Sequence, residues 1–520
     1  MRRAHLALIV AAAGAALPAL LRAQNASWTY SPGGNWTADW QNAGNWSPNS
    51  AFPNSTTAVA TLPAGPIGAG SGTLVLSGAG VTVNRINFNG AGSNTNGYTI
   101  AGVGRVTITN FGTFNVTSSG PNIGVATITA GVSAAANSTI YKIGSGMLVL
   151  SGPSSFSGIT GISVGGGVLR FTSSSAISGL SIITTTNDGQ VEIQNASNSG
   201  TLILGAGSSL PNPNGVLYSS AGDNTWTGNW IAVQANNSVG VISSTTLTQY
   251  GFVADSSEPS TNGFTKVGGG TFSTTALGLS GPMHINEGTL VLRPGNVSTV
   301  QSFTIAGGAV PTARLDITSQ QVVVHSDSSA QIKALIHAGE NGGAWNGYGI
   351  TSSIAEADAA ANGSTTYAVG YLRGDQLSNF NGSTATFGGV TLNATDVAMT
   401  LTHVGDTNLD GVVDTTSDFN NFVSGYTAPH SALPNTDWFN GDFDHDGVIT
   451  LGADFKLFTQ GFAGLGGSLT ALSNAVTTSA LPPVDQQTMQ TIISNTPEPG
   501  VMLLCVIPGA LAILGRRRRN

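Results

Sequence analysis

The chain has 520 residues, of which only 8% are charged and 71 are glycine, and its formal net charge is −8. The charged fraction is far below the roughly 25% of an ordinary soluble domain, but a hydrophobic content of 40% is enough to build a core and excludes wholesale disorder. The chain has four lysines and no basic stripe between its termini, which argues against nucleic-acid binding. The composition therefore favours an exported, β-rich protein.

Residues 1–23 are typical of a secretory signal peptide. Arg2 and Arg3 give a positive start, an apolar stretch covers residues 6–21, and Ala23 is a small residue at the expected cleavage point. Polar sequence follows at once, so the pattern favours export over a permanent membrane anchor.

Residues 24–400 have the pattern of short strands separated by turns, because alternating Thr, Val, Ile and Leu residues are bounded by glycine. A repeat begins near Lys142 and again near Lys266, and its clearest copies are residues 141–171 and 264–293. Repeats of about 20–50 residues indicate a solenoid, in which each unit buries its apolar face by stacking on its neighbours.

The two copies resemble the autotransporter-associated β-strand repeat, which forms right-handed parallel β-helices. The resemblance implies a mainly β fold, a right-handed parallel β-helix, over residues 24–400. The sequence itself shows no helical apolar spacing before residue 418, which predicts no helix in this region. A stack of antiparallel β-sandwiches is the alternative architecture. Tryptophans near the N-terminus are expected to cap the open end of the core, with glycan stacking as the alternative; they are Trp28, Trp36, Trp40 and Trp46.

The acidic residues of the predicted solenoid do not form a catalytic pattern. Glycoside hydrolysis needs two opposed carboxylates about 5–9.5 Å apart, whereas the acids here are scattered along the sequence. Asp316, Asp327 and Glu340, at intervals of 11 and 13 residues, are the acids that we would test by mutation. The pattern argues against an enzyme, but solenoid turns bring distant residues together, so the question stays open at the level of sequence.

Residues 406–418 and 442–454 are two acidic segments that align with a constant offset of 36 residues. Ca²⁺ takes six to eight oxygen ligands, which a loop supplies from positions 1, 3 and 5 and from the carbonyl at position 7, while glycine at position 6 permits a sharp turn. Both segments carry that glycine, Gly411 and Gly447. The predicted ligands are Asp406, Asn408, Asp410, the carbonyl of Val412, Asp414 and Asp418 in the first loop, and Asp442, Asp444, Asp446, the carbonyl of Val448 and Asp454 in the second.

This pair of loops resembles a type I dockerin, a small calcium-dependent module with two loop–helix repeats. The resemblance implies that residues 401–465 form a small α-helical, EF-hand-like pair that binds two Ca²⁺ ions and docks to a cohesin-like partner; a surface polysaccharide is the other candidate partner. The family places its last acidic ligand at position 12, whereas Asp418 and Asp454 lie at position 13. Because both copies share the extra residue, we interpret it as a variant loop geometry.

Residues 466–496 are predicted to be a flexible linker, and residues 497–520 have the layout of a sorting tail. An apolar stretch that contains the only cysteine, Cys505, separates a Pro-Glu-Pro triplet from a basic cluster. The residues of the triplet and the cluster are Pro497, Glu498, Pro499, Arg516, Arg517, Arg518 and Arg519. This layout resembles the PEP-CTERM signal, which implies processing by an exosortase-like enzyme and transient membrane contact through the tail. A simple tail anchor is the alternative.

The order of these segments predicts an exported, non-enzymatic protein of the cell surface or extracellular matrix, in a Gram-negative-type bacterium. It would display a β-solenoid and carry a calcium-binding docking module. The alternative is a carbohydrate-active β-helix enzyme that its dockerin recruits to a polysaccharide-degrading assembly.

Overall fold

The structure is a computed structural model that describes residues 25–63, 71–89, 97–118, 124–205, 214–232, 237–255, 263–363, 365–428 and 436–497. Within these ranges the chain is mainly β and forms a β-solenoid of about nine turns. The predicted parallel β-helix is therefore confirmed. The predicted signal peptide and the sorting tail from Glu498 onwards lie outside the described residues.

The first part of the solenoid pairs most strands in parallel with the strand one turn away. Its strands are Asn25–Trp28 (β1), Trp36–Asp39 (β2), Trp46–Ser47 (β3), Val59–Leu62 (β4), Gly72–Leu76 (β5), Val81–Phe88 (β6), Tyr98–Gly102 (β7), Arg105–Val116 (β8), Val125–Ile128 (β9), Gly131–Ala134 (β10), Thr139–Ile143 (β11), Met147–Leu150 (β12), Gly161–Phe171 (β13) and Ile182–Gln194 (β14).

The second part has three shorter strands in most turns. Its strands are Ser197–Asn198 (β15), Thr201–Leu204 (β16), Leu217–Ala221 (β17), Asn224–Trp226 (β18), Trp230–Ala232 (β19), Asn237–Val241 (β20), Thr246–Gln249 (β21), Val253–Asp255 (β22), Phe264–Val267 (β23), Thr271–Thr274 (β24), Leu277–Gly278 (β25), Met283–Ile285 (β26), Thr289–Leu292 (β27), Ser298–Val300 (β28), Phe303–Ile305 (β29), Arg314–Asp316 (β30), Val322–Val324 (β31) and Gly349–Thr351 (β32).

The parallel register stacks inward side chains in columns along the solenoid. Leu247, Phe272, Leu290 and Leu315 are successive partners in one column, and all four are fully buried. Alternation along each strand directs every second residue inward, so a column of this kind forms wherever the period-two pattern is repeated in register.

The repeated lysines lie inside the core. Lys142 is fully buried, and its Nζ donates hydrogen bonds to the carbonyl oxygens of Ile143 at 3.2 Å, Gly144 at 3.0 Å and Gly166 at 2.8 Å. Lys266 donates in the same way to the carbonyl oxygens of Val267, Gly268 and Glu287. The lysine of the repeat therefore satisfies backbone carbonyl oxygens at a corner of the solenoid.

The N-terminal end of the core is covered by tryptophans. Trp28 stacks on Trp36 with ring centroids 5.5 Å apart, and Trp40 meets Trp46 edge to face at 4.8 Å. All four are buried, with exposed fractions of 7% or less. The burial agrees with the predicted capping role.

The C-terminal end of the solenoid is closed by a segment that we call the cap, residues 329–403. It contains helices Ser329–Glu340 (α1) and Ser353–Asn362 (α2) and strands Tyr367–Arg373 (β33), Thr384–Phe387 (β34), Val390–Asn393 (β35) and Val397–His403 (β36). Strand β36 pairs antiparallel with both β31 and β33, which ends the parallel stack. Helices α1 and α2 precede residue 418, so the prediction that no helix occurs before it is wrong. Helix α1 was not predicted because it buries only a narrow apolar face in a chain otherwise rich in Gly and Ser.

The remaining helices are Asp418–Thr427 (α3), Lys456–Gly464 (α4), Leu469–Thr478 (α5) and Pro483–Ser494 (α6). The last two occupy the segment that we predicted to be a flexible linker, so that prediction is wrong. Leu472 of α5 and Met489 of α6 are fully buried, and the Gln490 side chain donates to the Ser473 carbonyl at 2.8 Å. Among the described residues, no helix is long and apolar enough to cross a membrane.

Candidate metal centre

The two acidic segments form two loops of the same backbone geometry, which we call the first loop (residues 406–418) and the second loop (residues 442–454). Positive φ angles recur at the fourth position, in Leu409 at 58° and His445 at 57°, and at the sixth position, in Gly411 at 85° and Gly447 at 93°. The left-handed conformation favours glycine, which explains the glycine in both segments. Helix α3 begins at Asp418, the last residue of the first loop, whereas a π-helical turn over Leu451–Phe455 overlaps the end of the second loop and leads into α4.

The first loop is closed by hydrogen bonds between its aspartates and its own backbone. Asp406 is fully buried, and its Oδ1 accepts from the Asp410 amide at 3.1 Å while its Oδ2 accepts from the Gly411 amide at 2.9 Å. Asp418 is also fully buried and accepts from the amides of Thr407 and Asp414, both at 2.8 Å. The aspartate at position 13 thus joins the two ends of the loop.

The second loop repeats most of this arrangement, but the amide of Asp446 donates to Asp444 Oδ1 at 3.2 Å instead of to Asp442 Oδ1. Asp442 Oδ2 accepts from the Gly447 amide at 3.1 Å, and Asp454 accepts from the amides of Phe443 at 2.8 Å and Thr450 at 2.7 Å. These partners lie 36 residues after their counterparts in the first loop. The structure therefore places Asp418 and Asp454, the predicted ligands at position 13, in equivalent inward positions.

Three carboxylates converge in the second loop. Asp442, Asp444 and Asp454 each offer an oxygen, and these oxygens lie within 4.8 Å of one another. Asp442 Oδ1 is buried and has no hydrogen-bond partner among the described residues. A buried carboxylate oxygen without a partner is costly, and a cation at this point would satisfy it. The all-oxygen donor set fits a hard cation such as Ca²⁺.

Desolvation makes these carboxylates reluctant to ionise. Burial raises the pKa of Asp442 to about 6 and that of Asp454 to about 7, and in the first loop it raises the pKa of Asp418 to about 6. Burial also raises the pKa values of Asp406 and Asp444. A bound dication would reverse this tendency, because it favours the ionised carboxylate.

The other predicted ligands are more exposed. Asp414 Oδ1 accepts from the amides of Thr416 at 2.8 Å and Ser417 at 2.7 Å, so it is engaged at the start of α3. Asp446 Oδ1 accepts from the Val448 amide at 2.7 Å, at the surface. In the first loop, Asn408 Oδ1 and Asp410 lie at the outer turn, where the Asp410 amide donates to Asn408 at 3.0 Å, and Val412 is half exposed. Their role as ligands stays a prediction.

The paired-loop module, residues 406–464, is packed against the cap. Gln376 of the cap donates to Asp437 of the module at 2.7 Å, and within the module the indole nitrogen of buried Trp438 donates to the Asp406 carbonyl at 2.6 Å. The cap also reaches both position-1 aspartates directly, since the Thr402 hydroxyl donates to Asp406 and Lys333 Nζ lies 3.3 Å from Asp442 Oδ2.

A cleft of about 700 Å³ lies between the cap and the second loop. Glu340 is buried in its wall, and burial, with a smaller contribution from Asp444, raises the Glu340 pKa to about 7. The polar and aromatic side chains of the cleft include His337, Glu340, Trp345, Asp444, Asp446 and Lys456.

Asp316 and Asp327, the other two acids that the sequence analysis selects for mutation, bind backbone amides. Asp316 Oδ1 accepts from Thr318 at 2.8 Å and from Ser353 at 2.9 Å, and Asp327 accepts from Phe303 at 2.6 Å. Asp316 and Asp327 therefore have a structural role as acceptors for backbone amides, whereas Glu340 lines the cleft.

Sequence reasoning missed the contribution of the cap to the loops. Lys333 precedes Asp442 by 109 residues, and no local pattern connects the two. His337, on the same helix as Lys333, has its Nδ1 3.0 Å from the Asp444 carbonyl oxygen. Only the packing of α1 on the second loop reveals these residues.

Together, the fold and the site define a β-solenoid with a capped C-terminal end and a pair of acidic loops. Comparison of the chain with protein-family models, curated proteins and solved structures finds no match.

Proposed function

We propose that this chain is an exported, non-enzymatic protein of the cell surface or extracellular matrix, whose paired acidic loops bind two calcium ions. The observation that carries the calcium proposal is the buried, unpartnered Oδ1 of Asp442 beside the carboxylates of Asp444 and Asp454. The equivalent hydrogen bonds of the two loops support a pair of related sites. In this proposal the module is an EF-hand-like pair of the dockerin kind.

Calcium should stabilise the full chain against heat. An ion that binds the folded loops but not the unfolded chain raises the melting temperature by mass action. We therefore expect a rise of several degrees in millimolar calcium relative to chelator. The measurement is a thermal scan of the full chain in calcium, in magnesium and in chelator. Asp442→Asn should reduce the rise, whereas Arg85→Gln, an exposed change on the solenoid, should leave it intact. Equal melting temperatures in calcium and chelator would refute the calcium role.

Export and surface retention rest on the two termini. A signal peptide at residues 1–23 and the Pro497-Glu498-Pro499 triplet, with the arginines that follow, suit secretion and processing by an exosortase-like enzyme. Mass spectrometry of the mature protein should find a C-terminus near the triplet, and replacing the triplet by alanines should leave unprocessed, membrane-retained chain. An intact C-terminus through Asn520 in the wild-type surface fraction would contradict this proposal.

For the module, we propose a cohesin-like partner, with a surface polysaccharide as the other candidate. The resemblance to dockerins supports the first, and the predicted surface location supports the second. Calcium-dependent capture of a purified cohesin domain by the full chain would support the first, and calcium-dependent retention on the organism's own surface polysaccharide would support the second.

A structural role for the solenoid acids supports a non-enzymatic function. Glu192 is buried and pairs with Arg170 at 2.9 Å, and Asp316 and Asp327 hold backbone amides. One observation favours the alternative of a carbohydrate-active enzyme, namely the cleft that contains Glu340. Release of reducing ends or unsaturated products by the full chain, abolished by Glu340→Gln, would establish that alternative.

A further inference from the structure

The two loops hold their first aspartate with different donors. In the first loop, Asp406 Oδ2 accepts from the Gly411 amide and from the neutral hydroxyl of Thr402. In the second loop, Asp442 Oδ2 accepts from the Gly447 amide and from the ammonium of Lys333. A cationic donor in the second loop thus occupies the place of a neutral donor in the first.

The position of Lys333 is fixed by helix α1 of the cap. Its Nζ also donates to the Thr436 carbonyl at 2.8 Å, and its side chain is only 19% exposed. One turn later on the same helix, His337 Nδ1 lies 3.0 Å from the Asp444 carbonyl oxygen. The helix therefore keeps the ammonium against the second loop.

We propose that Lys333 makes the second loop a weaker calcium site than the first, so that the full chain binds its two ions at well-separated concentrations. This inference rests on the proposed calcium function. A fixed positive charge a few ångströms from a bound dication repels it, and partial burial limits the screening by solvent and salt.

The number of acidic residues does not explain such a difference, because each loop contains four aspartates. In the part of the chain that the structure describes, no basic side chain pairs with an aspartate of the first loop, whereas Lys333 pairs with Asp442. Lys333 is thus a positioning residue that binds Asp442 through Oδ2, leaves Oδ1 without a hydrogen-bond partner, and sets the affinity of this loop through its charge. By reciprocity, an ion in the second loop weakens the contact between α1 and the module.

Isothermal titration of the full chain with calcium chloride tests this inference. Wild type should give two dissociation constants, and Asp410→Ala and Asp446→Ala identify the loop to which each constant belongs. Lys333→Gln keeps a donor but removes the charge, so we expect the second-loop constant to fall about tenfold and the first-loop constant to stay unchanged. Lys333→Arg should retain the weak second site, and Arg85→Gln controls for net charge.

Three results would overturn the inference. Lys333→Gln could leave the second-loop constant unchanged, or it could shift only the constant that Asp410→Ala removes; either would exclude the role of Lys333 while two calcium sites remain. Failure of wild type to bind any calcium would instead refute the proposed function itself.

Discussion

The two buried lysines of the repeat have the same role, which is to donate hydrogen bonds to backbone carbonyl oxygens. An ammonium group has three donors, and Lys142 and Lys266 each direct theirs to three carbonyl oxygens at one corner of a turn. Most of those carbonyl oxygens lie at a strand end or just beyond it, and Gly166 lies at the register shift within β13. The lysine of the repeat is therefore part of the solenoid core in a protein that has few lysines.

Removing one of these lysines should destabilise the solenoid. Lys142→Met keeps the apolar stem but leaves three carbonyl oxygens without their donor, so we expect the free energy of unfolding to fall by about 1–3 kcal/mol. Urea denaturation measures the change. Arg85→Met, at an exposed position of β6, should change the stability by less than about 0.5 kcal/mol. A Lys142→Met chain as stable as wild type would show that these hydrogen bonds contribute nothing net.

The same lysines predict a pH dependence. Burial lowers the pKa of Lys142 to about 7 and that of Lys266 to about 8, whereas lysine in an unfolded chain titrates near 10.4. Between these values the unfolded chain binds protons that the folded chain does not, so the free energy of unfolding rises with pH across this window and is reduced below it.

We therefore expect the destabilisation by Lys142→Met to be at least about 1 kcal/mol larger at about pH 9.5 than at about pH 7.5. Urea titrations of wild type and variant at the two pH values measure this difference directly. The contributions of titratable groups that the substitution does not affect cancel when the two free energies of unfolding are subtracted. A difference that does not change with pH would contradict the expectation.

At the scale of the strands and turns, glycine marks the places where one turn closely approaches the next. Gly144 has φ of 81°, and a Cβ there would lie 2.3 Å from the Val116 carbonyl oxygen; Gly268 in the later copy has φ of 75° and 2.4 Å to the Val241 oxygen. Both glycines follow the repeated lysine by two residues. Positive φ and close backbone contact thus coincide at one corner of both copies.

Two substitutions can separate the effect of positive φ from that of close backbone contact. Gly144→Ala should lower the free energy of unfolding by about 3 kcal/mol or more, because the methyl group meets backbone that cannot move easily. Gly78 has a similar φ of 64° but open space around its Cβ position, so Gly78→Ala should cost only about 1 kcal/mol. Equal effects of the two substitutions in chemical denaturation would exclude the role of close stacking.

The strands and the acidic loops could be predicted from the sequence because their determinants are local. A strand shows its alternation within a few residues, and each loop carries its spacing and its glycine, as around Gly411 and Gly447. Helices α1, α2, α5 and α6 could not be predicted, because each has only ten or twelve residues and a narrow apolar face. Their stability depends on packing against distant parts of the chain.

At the scale of the whole molecule, the solenoid contacts the cap, and the cap contacts the paired-loop module. Strand β36 ends the parallel stack and leads directly into the first loop, and a Cβ on Gly370 of β33 would lie 2.9 Å from the indole of Trp438. Such contacts join residues about 70 or more positions apart, which explains why the sequence could not show them. Ion binding at the loops should therefore affect the stability of the cap as well as that of the module.

Native mass spectrometry of the full chain after exchange into calcium is the most direct test of the central claim. We expect a mass increase that corresponds to two calcium ions, reduced to one in Asp406→Asn and in Asp442→Asn, since each of these buried aspartates belongs to one loop only. A chain that carries no specifically bound calcium, or one whose ions are unaffected by both substitutions, would contradict the assignment of these loops as calcium sites.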